Sequence, residues 1–445
     1  FRSNHHAENS YSLRGGFQLI PVNESSCYFS NKTSENHAAI NSLWFLIRNV
    51  LLSERAGKQK FVFYDDETCN KLFHSLMKHT PDTSNCFINN PHPNIVIIIG
   101  ESHTADVVEA LGGEQGNSPH LDSLINTSLT FTECYASGSR TDQGLVSIFS
   151  GFPAQPDNSI IRHDDKTDKL PYLTAPFTNQ NYNTSFFYGG ELGFANMKSY
   201  LLHAGFKVLS DKNDYTGNTM NSKWGAHDAF VLSKQLEWIK NSPQPFFSAI
   251  LTLSLHEPFE IPIAPKFAGN STEVKFKNAA YYTDMCLGNY FSDIKKLPCY
   301  SNTLFIFVAD HGHHYPRNRD YYSIESHRIP LIFFGGALKN EFRGKRINAI
   351  TSQNDIATIL LNQLGYSTDK FEFSKNNLSA GSKAFAYLCY DDGFTFIENG
   401  CSVNYLTSTK VNKVISGNCD SLQSERTASD GKAYLQKLYQ TFLDY

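Results

Sequence analysis

Three runs of the chain are apolar from end to end: Ile95 to Gly100, Leu304 to Val308 and Leu331 to Phe334. Each is too short to be a typical buried helix and too uniform for a strand with one wet face, so each reads as a strand buried on both sides. Phe246 to Leu251 has the same character, and Ser185 to Tyr188 adds a further strand. Helical periods separate them, at Pro119 to Ile125, from Thr141 onward, at Met197 to His203 and across Ala226 to Lys240. This alternation implies α/β architecture: a mostly parallel sheet flanked by helices on both faces. No apolar run approaches the roughly 18 residues that span a bilayer.

Around that core the pattern changes twice. Up to about Pro93 the chain is polar and irregular, with one amphipathic helix expected at His37 to Ser53 on Ile40, Leu43, Phe45, Leu46 and Leu51. Breakers at Pro81, Asn89, Asn90, Pro91 and Pro93 place a boundary near residue 90. Beyond a helix at Gln353 to Leu364, short strands at Phe385 to Tyr390, Phe394 to Ile397 and Val403 to Leu406 lead to a last helix at Leu422 to Leu443, a small antiparallel sheet with a helix. The expected layout is a wrapping segment over 1–90, a main domain over 91–370 and an α+β subdomain over 371–445. A chain of 445 residues accommodates one core of roughly 250 to 300 residues with appendages.

With 40% hydrophobic and 18% charged residues and a formal charge of -4, the chain has no basic face for nucleic acid, and that class of partner is set aside. The first residue is Phe and the opening residues do not read as a signal peptide, so a fragment of a longer protein is expected, with any membrane anchor upstream. Nine cysteines include no CxxC pair, which argues against a four-thiolate zinc site. The spacings of Cys69 with Cys86, Cys286 with Cys299 and Cys401 with Cys419 permit disulfides in an oxidising compartment.

In an open α/β sheet the active site gathers where parallel strands end. One apolar strand runs into Glu101, Ser102 and His103, another into Asp310, His311, Gly312, His313 and His314, and a third leads through Ser254 to His256. Singly, Glu101 reads as a cap, Asp310 as a turn former and His311 as a surface residue. Together, after two buried strands, they read as ligands of a divalent cation. Ser137 to Gly144 is a run of mostly small residues that opens a helix, with Thr141 at its N-terminus, where backbone N–H groups and the helix dipole favour an anion. From local sequence Thr141 is either a cap or a nucleophile.

As a set these residues resemble the catalytic ectodomain of the lipoteichoic acid synthase-like phosphoglycerol transferases, within the alkaline phosphatase and sulfatase superfamily. The matching segments are NIVIIIGES at Asn94 to Ser102, ASGSRTDQGL at Ala136 to Leu145, LSLHEPF at Leu253 to Phe259, VADHGHH at Val308 to His314 and SHRIPLIFFGG at Ser326 to Gly336. The run GGFQLIPVNESSCYFS at Gly15 to Ser30 is similar to the segment before the catalytic domain in Bacteroidota relatives. The resemblance extends to about residue 365. It implies that Glu101, Thr141, Asp310 and His311 hold one metal, that Thr141 is the nucleophile, and that His256 binds the substrate phosphate or protonates a leaving group. Three oxygens and one imidazole suit manganese or magnesium, with manganese favoured and zinc an alternative that related phosphoethanolamine transferases use. Arg140, His313, His327 and Arg328 are candidate phosphate contacts.

The implied reaction takes a headgroup from a phospholipid donor, phosphatidylglycerol or phosphatidylethanolamine, and passes it to a lipid or glycan acceptor. It would occur at the cytoplasmic membrane, on the periplasmic or extracytoplasmic side. A phosphodiesterase or phosphatase with water as acceptor, and a non-catalytic binding or scaffold homologue, are the competing functions. Sulfate ester hydrolysis is disfavoured, because Thr141 to Leu145 is not the C/S-x-P-x-R motif of formylglycine sulfatases. In one region the chain departs from the Gram-positive enzymes. Where they carry a His, Asp, Trp and Arg set on glycerol phosphate, this chain reads FYGGELGFANM, with Tyr188, Gly190, Ala195 and Met197 at those positions. Glu191, Asn196, Trp224 and His227 are the expected lining of a differently shaped pocket, one that could accept an amine such as ethanolamine.

Overall fold

Alternate residues of a buried strand face opposite sides of its sheet, and both sides of this one are covered. In β1 (Asn94–Gly100), Ile95, Ile97 and Ile99 enter one hydrophobic cluster, while Val96 and Ile98 enter a second on the other face. β6 (Thr303–Ala309) divides in the same way, with Leu304, Ile306 and Val308 opposed to Phe305 and Phe307. The computed structural model describes residues 22–30, 32–47, 50, 59–78, 86–398 and 400–445. Its main sheet has nine strands. With β2 (Leu129–Tyr135), β3 (Asn183–Tyr188), β4 (Val208–Ser210), β5 (Phe246–Leu251), β7 (Arg328–Gly335) and β8 (Arg346–Ile347), the order is β4-β3-β5-β1-β6-β7-β2-β8, and β9 (Thr351–Ser352) also pairs with β2.

Every neighbouring pair is parallel except those made by β7, which runs against both β6 and β2. The mixed, mostly parallel sheet agrees with the sequence expectation, and its one reversal matters for the site. Because β7 is antiparallel, its first residues, not its last, arrive at the edge where the parallel strands end.

A second sheet, β10 (Phe385–Tyr390), β11 (Gly393–Glu398), β12 (Cys401–Leu406) and β13 (Val411–Ser416), is antiparallel throughout. Its Phe385, Tyr387, Phe394 and Phe396 join Tyr434, Leu435 and Leu438 of the Ser421–Asp444 helix in the same cluster as β1. The buried pair Lys375 Nζ to Asp355 Oδ2, at 2.5 Å, ties the approach to β10 to the main domain, and Cys401 and Cys419 form a disulfide. Cys69, Cys86, Cys286 and Cys299, which the spacing also allowed to pair, are free thiols.

The N-terminal region departs from the expected single helix. Helix Thr33–Ala39 stops at Ile40, which takes extended backbone angles, and residues 42–47 are helical again; residues 48, 49 and 51–53 of the expected helix, and Gly15 to Pro21 of the resembling segment, lie outside the described residues. This region binds the Met197–His203 helix and the loop before it. Asn23 Nδ2 donates to the Gly193 carbonyl and Ser199 N donates to Ser25 Oγ. The buried Asp164 carboxylate accepts from Tyr28 and Ser199 and lies 3.3 Å from His37 Nε2. Trp44 and Phe45 pack on Tyr28, Ile40 and Leu202. Among the described residues no helix is long and apolar enough to cross a membrane.

Candidate metal centre and active site

The carboxyl ends of β1, β6, β2 and β5 deliver Glu101, Asp310 with His311, Thr141 and His256 to one edge of the sheet, and the start of β7 delivers His327. Glu101, Asp310 and His311 are all buried, and each offers a ligand atom within 4.8 Å of the others. The backbone fixes which atoms remain for a cation. Asp310 Oδ1 accepts from the amides of Ser102 at 2.8 Å and His311 at 2.7 Å, while Oδ2 is buried without a hydrogen-bond partner. Ser102 adopts a left-handed φ of 53° where its amide makes this bond, backbone strain of the kind that functional sites store. His311 Nδ1 donates to the Gly312 carbonyl at 2.8 Å, which sets the tautomer and leaves Nε2 for the cation, 3.7 Å from Glu101 and 3.6 Å from Asp310.

Two carboxylates and an imidazole held this closely carry charge that the protein alone does not balance. Burial, and then the neighbouring Glu101, push the Asp310 carboxyl up to about 7. Burial opposes charge on His311, but Asp310 and Glu101 outweigh it and raise the imidazole above its ordinary value. An orphaned buried carboxylate oxygen beside a preset imidazole nitrogen fits a divalent cation.

Thr141 is the first residue of the helix Thr141–Ser150, and it does not cap it: the capping position is Arg140, without a side-chain cap bond. Its hydroxyl instead donates to Glu101 Oε2 at 3.2 Å. Asp142, in the same turn, holds two arginines beside it, Arg140 Nε at 3.6 Å and Arg162 Nη2 at 3.4 Å. Arg162 was not anticipated from sequence. It reaches the site from a short helix anchored by the buried Ile160 and Ile161, an arrangement no local motif announces.

The helix can sit this close to the ligands only because Gly144 lacks a side chain. A Cβ there would lie 2.1 Å from the Asp310 carbonyl oxygen, with no flexible group to yield. Gly144→Ala is therefore expected to cost about 1–3 kcal/mol of stability through overpacking. By displacing Thr141 from the ligands, it should also lower activity far more than Ala at an exposed helix site; thermal unfolding and turnover measured together check this.

Two cavities meet at Thr141. One, of about 460 Å³, is lined by Glu101, Arg140, Thr141, Arg162, His256, His311, His313, His314, Tyr321 and His327. The other, of about 400 Å³, is lined by Thr141, Tyr188, Gly190, Glu191, Phe194, Met197, Lys212, Lys223, Trp224 and His256. Thr141, Phe194 and His256 belong to both. His256 donates from Nδ1 to the Glu257 carbonyl at 3.1 Å, which leaves Nε2 available, and its ring lies 4.7 Å from that of Trp224. His313 stacks on Phe276, and burial lowers its imidazole to about 3; burial likewise lowers His327 to about 4, so both are neutral at physiological pH.

Arg328, expected on phosphate, and two anticipated lining residues, His227 and Asn196, lie elsewhere. Arg328 donates to the Thr132 carbonyl and pairs with Glu133 at 3.2 Å, bracing β7 on β2. His227 is buried, with Nδ1 3.2 Å from Ser254 Oγ. Asn196 is buried with a left-handed φ of 61° and lines neither cavity. Glu191 does line the second cavity, but its carboxylate is engaged by Lys212. Lys212 and Lys223, on the same walls, had no distinguishing sequence signal.

The sulfatase family model matches residues 93–366. Lipoteichoic acid synthase 2 of Bacillus subtilis (strain 168) is 22% identical over 309 residues, covering 64% of this chain and 47% of its own length. A lipoteichoic acid synthase of Staphylococcus aureus (strain NCTC 8325 / PS 47) is 23% identical over 271 residues, 57% of this chain and 41% of its own. This chain thus spans about half the length of the curated relatives it matches. Among solved structures, a protein of the alkaline phosphatase superfamily from Vibrio parahaemolyticus aligns with a TM-score of 0.72 at 24% identity, covering 86% of this chain and 98% of its own. The lipoteichoic acid synthase LtaP from Listeria monocytogenes aligns at 0.68 and 17%, covering 84% and 98%. The C-terminal periplasmic domain of EcEptC from Escherichia coli aligns at 0.53 and 15%, covering 71% and 93%. At these identities the structural likenesses establish the fold.

Proposed function

Since the chain belongs to the sulfatase family, we propose that it is a transferase that moves a phosphoglycerol- or phosphoethanolamine-type headgroup from a phospholipid to an envelope lipid or glycan through a phosphothreonine on Thr141. The observation that carries this reading is the position of the Thr141 hydroxyl. It lies at a helix N-terminus, 3.2 Å from Glu101 within a group of buried ligands, and at the junction of two cavities. Glu101, Thr141, Asp310 and His311 would hold one divalent cation, manganese by preference, which when bound lowers the cost of forming an alkoxide and offsets phosphate charge.

Thr141 Oγ attacks phosphorus as the alkoxide, its hydroxyl proton released to solvent, and the diacylglycerol oxygen leaves, taking its proton from Nε2 of a doubly protonated His256. The acceptor hydroxyl then returns a proton to the same nitrogen as its oxygen displaces Thr141 Oγ, so two inversions give retention at phosphorus. Arg140, Arg162 and the helix N-terminus offset the charge of the non-bridging oxygens. Tyr188, Phe194, Met197 and Trp224 would enclose the retained headgroup, in place of the polar set that grips glycerol phosphate in the Gram-positive enzymes. An extracytoplasmic location accords with the Cys401–Cys419 disulfide, since such bonds persist in oxidising compartments.

Intact mass after incubation with manganese and phosphatidylglycerol or phosphatidylethanolamine tests the reading. An adduct of phosphoglycerol or phosphoethanolamine mass is expected on the native chain and absent from Thr141→Ala. Steady release of diacylglycerol without an adduct would make the enzyme a hydrolase instead. No adduct and no turnover with manganese, magnesium or zinc would end the proposal.

A further inference from the structure

Two side chains that line the first cavity have no task in the reaction as written. Tyr321 is one: it is 48% exposed, yet it is firmly braced. Its ring meets those of Tyr322 at 5.1 Å and Tyr390 at 5.5 Å. Tyr390 ends β10, its hydroxyl donates to the Tyr322 carbonyl at 3.1 Å, and Tyr322 packs in turn on the cluster of Leu388 and Ile397 in the second sheet. An exposed ring on such a base holds a flat apolar surface at the cavity instead of burying it.

His327 is the other. It lines the same cavity and is 3% exposed. Ser326 Oγ donates to the Ser323 carbonyl at 2.7 Å, so toward His327 Nδ1, 3.1 Å away, it accepts. Nδ1 therefore carries the proton and Nε2 is a lone pair, buried without a hydrogen-bond partner among the described residues. The imidazole is held edge-on to Tyr390, at 5.3 Å and 88°, so one tyrosine braces both groups. A buried lone pair at a cavity wall calls for a donor from the ligand. The phosphothreonine is resolved by an alcohol, whose attacking hydroxyl gives its proton to His256, so the donor to His327 is a second hydroxyl. A ligand with a flat apolar face for Tyr321 and neighbouring hydroxyls for His256 and His327 is a pyranose; water or a simple alcohol satisfies one of the three.

We propose that the first cavity is an acceptor subsite for a pyranose, which lies against Tyr321 and donates from one hydroxyl to His327 Nε2 while a neighbouring hydroxyl attacks phosphorus. The sugar oxygen bonds to phosphorus as the bond from phosphorus to Thr141 Oγ breaks. The sugar's proton passes to His256 Nε2, and the Thr141 alkoxide takes one from solvent. This rests on the phosphothreonine reading for the reaction, whereas binding of the sugar is measured apart from it.

The chain, with manganese and phosphatidylglycerol or phosphatidylethanolamine, is offered the methyl pyranosides of glucose, galactose, mannose and N-acetylglucosamine, then monoglucosyl diacylglycerol, then hexanol. Mass spectrometry gives the ratio of sugar-linked to hydrolysed headgroup phosphate. That ratio is set after the donor's diacylglycerol has left, so lost folding or donor affinity does not move it. It should fall about tenfold in Tyr321→Ala and in His327→Phe, the scale of one ring contact or one hydrogen bond. In Tyr321→Phe, which keeps the ring, it should stay within about twofold. Transfer to methyl pyranosides marks a free glycan, and transfer to the glycolipid alone marks a lipid-borne sugar. Diacylglycerol released with no sugar product, hexanol used as well as any sugar, or a ratio unmoved in Tyr321→Ala would overturn the proposal and spare the Thr141 adduct. If no adduct forms, saturation transfer from the protein to the methyl pyranosides decides: a signal in the native chain that Tyr321→Ala loses keeps the subsite, and no native signal, or one that persists in the variant, removes it.

Discussion

Replacing Thr141 with alanine is expected to lower kcat by roughly 10⁴- to 10⁶-fold, the scale of loss when a covalent nucleophile is removed. The same change should barely move the thermal unfolding midpoint. Thr141 does not cap its helix, it is only partly buried, and its side chain makes one hydrogen bond, to Glu101. Alanine also favours the helix more than threonine does, by a few tenths of a kcal/mol. Thr141→Ser keeps an oxygen at the same point and should stay within about tenfold of the native rate. Progress curves with a phospholipid donor, set beside thermal melts of the three proteins, check this. An alanine variant retaining more than about a hundredth of the native rate would exclude Thr141 as nucleophile.

The second large effect concerns the buried carboxylates. With divalent cations removed by a chelator, stability should fall as pH rises from about 4 to about 7. The Asp310 carboxyl titrates near 7 in the folded chain, while an unfolded chain releases the proton near 3.9. Between those values the folded state holds a proton that the unfolded state has lost, so the stabilisation is complete below the lower value and gone above the higher. At roughly 1.4 kcal/mol per pH unit, the swing is a few kcal/mol. Manganese, binding only the folded arrangement, should reverse the loss, and most strongly at pH 7.5. Asp310→Asn should flatten the pH profile of the chelated protein and abolish the gain from the cation. Melts at pH 4.5, 6 and 7.5 with and without manganese measure both. If Asp310→Asn melts exactly as responsively to manganese as the native chain, Asp310 is not a ligand.

What could be read from the sequence was whatever declared itself locally. Glu101, Asp310 and His311 stand directly after runs in which every side chain is apolar, so their strand ends were visible before any fold was known. The helix Thr272–Ile294, the longest in the main domain, was not expected: Asn278, Thr283 and Asp284 are buried on it among Phe276, Ala279, Leu287 and Tyr290, and these polar and small residues dilute its apolar stripe. β2 escaped for a related reason, since Thr130, Thr132 and Glu133 interrupt its apolar residues. Arg162 was out of reach altogether, because its partner Asp142 is twenty residues away and only tertiary packing of Ile160 and Ile161 joins them. The wall of the second cavity, likewise, depends on where Lys212 and Lys223 fold back, which no spacing rule encodes.

The register between β1 and β6 has a consequence for how the holoprotein assembles. Gly100 is level with Ala309, so Glu101 and the pair Asp310 and His311 become neighbours only when two segments more than two hundred residues apart have zipped together. Closing so long a loop is entropically costly and slow compared with local helix formation. The denatured chain therefore presents no preassembled chelate, and a cation cannot template the early steps of folding. A cation held by Glu101, Asp310 and His311 would load onto an apoprotein whose central strands are already aligned, and would act as a lock on the finished sheet that slows its escape to the denatured state.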